Sequence, residues 1–171
     1  MEVLKTKLEG VLLIKPAIFE DFRGQFVETY NKHQYRAHGI TAEFVQDDIC
    51  TSFRGVLRGI HGDHETWKLM SCLWGRFYFV VVNCDEGSQN FGEWESFVLS
   101  DANRWQVLVP PRHGNAHLAL SEKIILHYKQ SAYYSPRGQF SYKWNDPRFN
   151  IFWPIKDPIL SQRDEKGGYV D

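Results

Sequence analysis

The sequence is short of net charge, of cysteine and of long apolar runs. Its 20 Lys and Arg nearly balance 21 Asp and Glu, so the formal net charge is −1 over 171 residues. The two signs are interspersed and no basic block stands out, which argues against nucleic acid as a partner. A few arginines gathered in one pocket would still suffice to hold an anionic small molecule. No apolar stretch approaches the ~20 residues needed to span a membrane, and Met-Glu-Val-Leu-Lys at the start does not read as a secretory leader. The three cysteines, Cys50, Cys72 and Cys84, are odd in number and widely spaced. They match neither a disulfide framework nor a zinc site, and they read as reduced, mostly packed thiols of a cytoplasmic protein. Internal repeats, low-complexity segments and linkers are also missing. A single domain over 1–171, long enough to bury a core, is the expectation.

Aromatic residues are plentiful. They make up 15% of the chain, with six Trp and twelve Phe, which suits a β-rich core and also a pocket that stacks on a flat ligand. Short strand signals recur with turns between them: Val11–Ile14, Gly24–Tyr30, Cys72–Val82 interrupted at Gly75, Glu95–Leu99, Gln106–Val109 and Ile124–Tyr128. Many short strands with few helices predict a sandwich or barrel. One helix is predicted at 31–38, with Asn31 as its cap and Gly39 as its end. The segment after Ser135 is rich in Pro, Gly, Asp and Trp and reads as irregular chain laid against the barrel.

The densest motif is Gly55-Val56-Leu57-Arg58-Gly59-Ile60-His61. It reads as an apolar strand that carries an arginine, ends on a histidine and uses glycine for close backbone approach. RGQFVE (23–28) and FVQDD (44–48) precede it. KL (68–69), FGEWESFVLS (91–100), HYKQSAYYSP (127–136), WNDP (144–147) and LSQRD (160–164) follow in order. This ordered series resembles the nucleotide-sugar epimerase family typified by dTDP-4-dehydrorhamnose 3,5-epimerase, over roughly residues 10 to 165. The resemblance implies an all-β, cupin-type antiparallel jelly roll with short flanking helices, a fold that the strand pattern independently favours. It also implies a homodimer whose N-terminal strands pair across the interface.

The implied reaction acts on a nucleoside-diphosphate 4-keto sugar and needs no cofactor. Removing the proton at carbon 3 or 5 gives an enolate on the carbon-4 oxygen. Inversion then needs a base on one face, a proton donor on the other and a partner for the oxyanion. The resemblance assigns the base to His61, a neutral imidazole poised near physiological pH, and its orienting carboxylate to Asp164. It assigns the acid to Tyr128, which precedes Lys129. On an alternating strand, Ile124, Leu126 and Tyr128 share one face. Lys68 matches the pocket lysine that stabilises the enolate. Arg23 and Arg58 match arginines that hold the diphosphate, for which a planar guanidinium is well shaped. Gln46 matches a polar contact, Phe26 and Tyr134 match aromatic positions near the nucleotide base, and Glu28 falls at a ligand-side position. Such enzymes usually serve surface-polysaccharide precursor synthesis.

The pattern breaks at two places. The family run Gly-Phe-Ala-His-Gly-Phe is replaced by Arg112-His113-Gly114-Asn115-Ala116-His117, so the family histidine falls on Asn115. Asn115 can donate to a carbonyl oxygen but cannot carry charge, and His113 and His117 share its strand face. Gly62 stands where a tyrosine usually follows the motif histidine. A pocket altered in this way is compatible with a branch acting on GDP-linked 4-keto heptoses, or one inverting carbon 3 only. Two other classes stay open: a metal-dependent cupin using His61, His64, Glu65 and His117, and a non-catalytic cupin that binds sugar nucleotides.

Overall fold

Apolar segments bounded by Gly, Pro and Asp become strands, and nearly every one pairs antiparallel. The structure is a computed structural model and describes residues 1–167. In chain order the elements are β1 (Glu2–Lys5), β2 (Leu12–Lys15), β3 (Ile18–Asp21), β4 (Gly24–Val27), α1 (Lys32–Ala37), β5 (Gln46–Phe53), β6 (Leu57–Asp63) and β7 (Lys68–Trp74). They continue with β8 (Arg76–Asn83), β9 (Trp94–Ser100), β10 (Gln106–Val109), β11 (His113–Ala119), β12 (Lys123–Gln130), β13 (Gln139–Ser141) and α2 (Gln162–Lys166). The fold is the all-β, cupin-type jelly roll that the strand pattern predicted.

Two sheets face each other. The first has the order β1-β2-β10-β7-β12-β5 and the second β13-β6-β11-β8-β9, while β3 and β4 form a separate hairpin. Alternation along each strand sends one set of side chains inward. Phe77, Phe79 and Val81 from the second sheet meet Met70, Val107, Ile124 and Leu126 from the first in one buried cluster. The apolar run predicted over Cys72–Val82 is two strands, β7 and β8. They are divided at Gly75, whose φ of 78° lies in the left-handed region that favours glycine.

The predicted helix forms as α1, and the Asn31 side chain accepts from the backbone N–H groups of His33 and Gln34. Gly39 follows it at φ 82°, as expected for a glycine closing a helix. The strand predicted over Gly24–Tyr30 stops at Val27. The segment after Ser135 is largely irregular but not wholly so. It supplies β13, which pairs with β6, and α2, which packs near the same strand. Both elements come to bear on the site. Among the described residues no helix is long and apolar enough to cross a membrane.

Candidate active site

A cavity of about 500 Å³ opens between the two sheets. One wall comes from the five-stranded sheet: Arg58 and His61 on β6, Asn115 and His117 on β11, and Gln139 on β13. The facing wall comes from the six-stranded sheet: Cys50 on β5, Lys68 and Met70 on β7, and Leu126, Tyr128 and Gln130 on β12. Tyr134 and Arg163 complete it from the flanking chain. The size and the mix of apolar and convergent polar groups suit a small-molecule site.

His61 sits near the end of β6 with Asp164 behind it. Its Nε2 lies 2.7 Å from Asp164 Oδ1. Asp164 is only 3% exposed and is held from three directions. Besides His61, its Oδ1 accepts from the Gly59 N–H at 3.1 Å and its Oδ2 from the Ser161 hydroxyl at 2.6 Å. Burial alone would push this carboxyl up. The hydrogen bonds from His61 and Ser161, with the His61 charge, reverse that and hold it at about 2. Gly59 makes the arrangement possible: a Cβ there would run into the backbone and side chain of Ala116. Gly62, where the family tyrosine is missing, has its Cβ space occupied by the Phe140 ring.

Tyr128 projects from the opposite sheet. Ile124 and Leu126 on the same face are buried, so the alternation along β12 is as the sequence predicted. Burial, then the charge of Asp48, raises the phenol to about 12, so it stays protonated at neutral pH. Lys68 is 8% exposed. Burial lowers its pKa, and the nearby Asp63 charge opposes that shift.

Arg58 reaches the cavity and donates from Nε to Ser52 Oγ at 3.1 Å and from Nη2 to the Thr51 carbonyl at 3.3 Å. Asn115 pairs directly with His61 across β11 and β6, and a register shift follows before His117. Asn115 and His117 therefore face the cavity. His113 turns its Nδ1 to the Pro111 carbonyl at 3.1 Å instead. Gln46 lies just outside the wall and accepts the Tyr134 N–H at 2.9 Å.

Besides Gln46, three expected ligand residues lie away from this cavity. Arg23 and Phe26 lie on the β3–β4 hairpin and line a separate hollow with Phe19, Glu20 and Asp21. Arg23 donates to Asp21. Glu28 is exposed and accepts from Asn31 Nδ2 at 3.3 Å. The metal set considered from sequence does not gather: His64 packs on Phe140 in a different groove, and Glu65 is exposed. Among the described residues no group of three or more His, Cys, Asp and Glu is placed to hold a metal ion.

Several wall residues were not singled out as ligands, although Gln130 lies in HYKQSAYYSP and Arg163 in LSQRD. Gln130 follows Tyr128 on the inward face of β12, so extending the alternation by one step would have found it. Cys50 lies inward on β5 opposite Leu126, yet no motif singles it out. Gln139 and Arg163 come from elements of three and five residues, too short to show a period.

Known proteins resemble this chain over nearly its whole length. Residues 5–171 match the family model described as dTDP-4-dehydrorhamnose 3,5-epimerase. A dTDP-4-dehydrorhamnose 3,5-epimerase of Methanothermobacter thermautotrophicus is 37% identical over 166 residues, covering 94% of this chain and 90% of the relative. The Escherichia coli enzyme of the same name is 36% identical, with 97% and 92% covered. The crystal structure of the Elizabethkingia anophelis enzyme superposes with a TM-score of 0.90 at 38% identity, covering 98% of this chain and 95% of that one. A Legionella pneumophila dTDP-6-deoxy-D-glucose-3,5-epimerase in complex with dTDP-4-keto-L-rhamnose gives 0.92 at 34% identity, covering 98% and 91%.

Proposed function

The chain belongs to the dTDP-4-dehydrorhamnose 3,5-epimerase family, and from that premise we propose how its residues divide the work. It is a nucleotide-sugar epimerase. Its substrate is a nucleoside-diphosphate-linked 4-keto-6-deoxy sugar, as the sugar bound by the Legionella relative suggests. His61 removes the proton alpha to the ketone. Asp164 orients the imidazole and stabilises the imidazolium that forms. The enolate oxygen is met by Lys68 and by the amide of Asn115. Tyr128 returns a proton from the other face.

The observation that carries this reading is the placement of base and acid on facing sheets. His61 comes from β6 and Tyr128 from β12, and both border one cavity. Inversion needs two proton-handling groups on opposite sides of one carbon, and the jelly roll supplies opposed walls. Arg58, with Tyr134 at the rim, holds the nucleoside diphosphate.

The working unit is a homodimer. The β3–β4 hairpin exposes Phe19, Phe22 and Phe26, with Phe22 at 99%, a costly apolar display for an isolated chain. Arg23, Phe26 and Glu28 have no place in their own cavity and serve the cavity of a second copy. Residues 1–171 act as one epimerase domain in the cytoplasm.

The test is incubation with dTDP- and GDP-linked 4-keto-6-deoxy sugars in heavy water, followed by proton NMR. Deuterium entering carbon 3, or carbons 3 and 5, together with inverted product, supports the reading. Binding without exchange on either substrate would make the protein a sugar-nucleotide binder instead.

A further inference from the structure

The FVQDD motif contains two adjacent acids that the mechanism leaves unused, and the strand sends them to opposite faces. Asp47 points outward, where Lys129 Nζ donates to it at 2.9 Å and His127 stands 3.9 Å away. Asp48 turns toward the cavity wall and pairs with Tyr128 across β5 and β12. Two glutamine amides converge on one of its oxygens. Gln46 Nε2 donates to Oδ2 at 2.9 Å and Gln130 Nε2 donates to the same Oδ2 at 2.8 Å. Gln46 then uses its own oxygen to accept the Tyr134 N–H. One carboxylate oxygen therefore ties the start of edge strand β5, the end of β12 and the loop carrying Tyr134.

We propose that Asp48 is the positioning residue of this cavity, holding Tyr134 in place through Gln46 and setting a negative charge beside its cross-strand partner Tyr128 and near Lys68, the cross-strand partner of Gln130. This rests on the epimerase reading for the roles of Tyr128 and Lys68.

Tyr128 neighbours Asp48 and Cys50 from β5 and Tyr134 from the loop, with Met70 opposite it on β7, and it shares the cavity with Arg58 and His61 on β6, Lys68 on β7, His117 on β11 and Arg163 on α2. Lys68 feels Asp63 from β6, Arg163 from α2 and Asp48 from β5. The Asp48 charge raises the pKa of both the phenol and the ammonium. Both groups must carry a proton to act as acid and as oxyanion partner. Asp48 therefore extends activity toward alkaline pH.

Because both amides meet a single oxygen, the tie and the charge can be separated. Asp48→Asn keeps an oxygen for both glutamines and removes the charge. It should hold free dTDP about as tightly as wild type and keep the Tyr134 amide protected from hydrogen exchange, while the alkaline limb of kcat/KM moves to lower pH. Asp48→Ala removes the tie as well. Its affinity for free dTDP should fall on the order of tenfold, and the Tyr134 amide should exchange faster. Should Asp48→Ala fail to fold, Gln46→Leu cuts the Tyr134 tie alone and should show the same faster exchange.

An alkaline limb unmoved in Asp48→Asn would overturn the charge role. Unchanged dTDP affinity and Tyr134 protection in Asp48→Ala, or unchanged protection in Gln46→Leu, would overturn the positioning role. If wild-type protein exchanges no sugar proton, the epimerase reading fails, and amide exchange at Tyr134 still decides the tie.

Discussion

His61 Nε2 stands 2.7 Å from Asp164 Oδ1, joining the end of β6 to the C-terminal helix. Asp164 is locked by Ser161 and the Gly59 N–H, so the imidazole is steered by a carboxylate that cannot drift. His61→Asn should abolish exchange at every sugar carbon while dTDP still binds. Asp164→Asn should impair turnover less, because in the proposed mechanism Asp164 only orients the base. Exchange at a near wild-type rate in His61→Asn would assign the base elsewhere.

Arg58 is the one predicted phosphate arginine that reaches the cavity of its own chain. A hydrogen bond to a charged group contributes roughly 1.5–3 kcal/mol. Arg58→Ala should therefore weaken free dTDP by about tenfold to a hundredfold, measured by calorimetry. Unchanged affinity would move the phosphate site away from β6.

Arg23 tests the dimer. If the hairpin serves the partner's cavity, Arg23→Ala in one chain and His61→Asn in the other strike the same site. A co-expressed hybrid dimer would then hold one site with both defects and one intact. Activity of the purified hybrid should clearly exceed that of either parent. A hybrid no better than its parents would place the hairpin's action within its own chain or at no active site.

His117 predicts a pH dependence of stability. Burial, followed by the charges of Arg58 and His61, lowers this imidazole from 6.5 to about 3. Between those values the unfolded chain binds more protons than the folded one. Stability is therefore full above pH 6.5 and is lost as pH falls toward 3. His117→Phe keeps an aromatic ring against Phe77 and removes the titration. Its urea midpoint should vary less steeply over that window, and an equal slope would contradict the assignment.

The sequence made the walls of the site legible where alternation runs long enough. Tyr128 lies with Ile124 and Leu126 on one face of an eight-residue strand, so its inward direction follows from period two alone. His61 and Arg58 lie within one strand motif whose glycine requirement is borne out at Gly59. Which of Asn115, His113 and His117 faces the cavity was not legible, because alternation puts all three on one face and His113 is turned away by its contact with the Pro111 carbonyl. The resemblance gives Arg23 the diphosphate role it gives Arg58 and sets Phe26 near the nucleotide base, but a hairpin carries both to a different surface of their own chain. Nothing in the spacing of residues along a chain encodes that direction. Gln139 and Arg163 arrive on a three-residue strand and a five-residue helix, where pairing with β6 and capping by Ser161 set the geometry and local periodicity does not.

In the proposed mechanism two groups, on facing sheets, handle the proton from opposite sides. The most direct test is Tyr128→Phe in heavy water with a dTDP-linked 4-keto-6-deoxy sugar, comparing deuterium uptake at carbon 3 with inverted product. The ring is kept and only the hydroxyl is lost. General acid catalysis contributes roughly a hundredfold to ten-thousandfold, so inverted product should fall by about that factor. Deuterium uptake should fall much less, because His61 still removes the proton and returns it to the same face. Inversion as fast as wild type would contradict the account and make Tyr128 a packing residue.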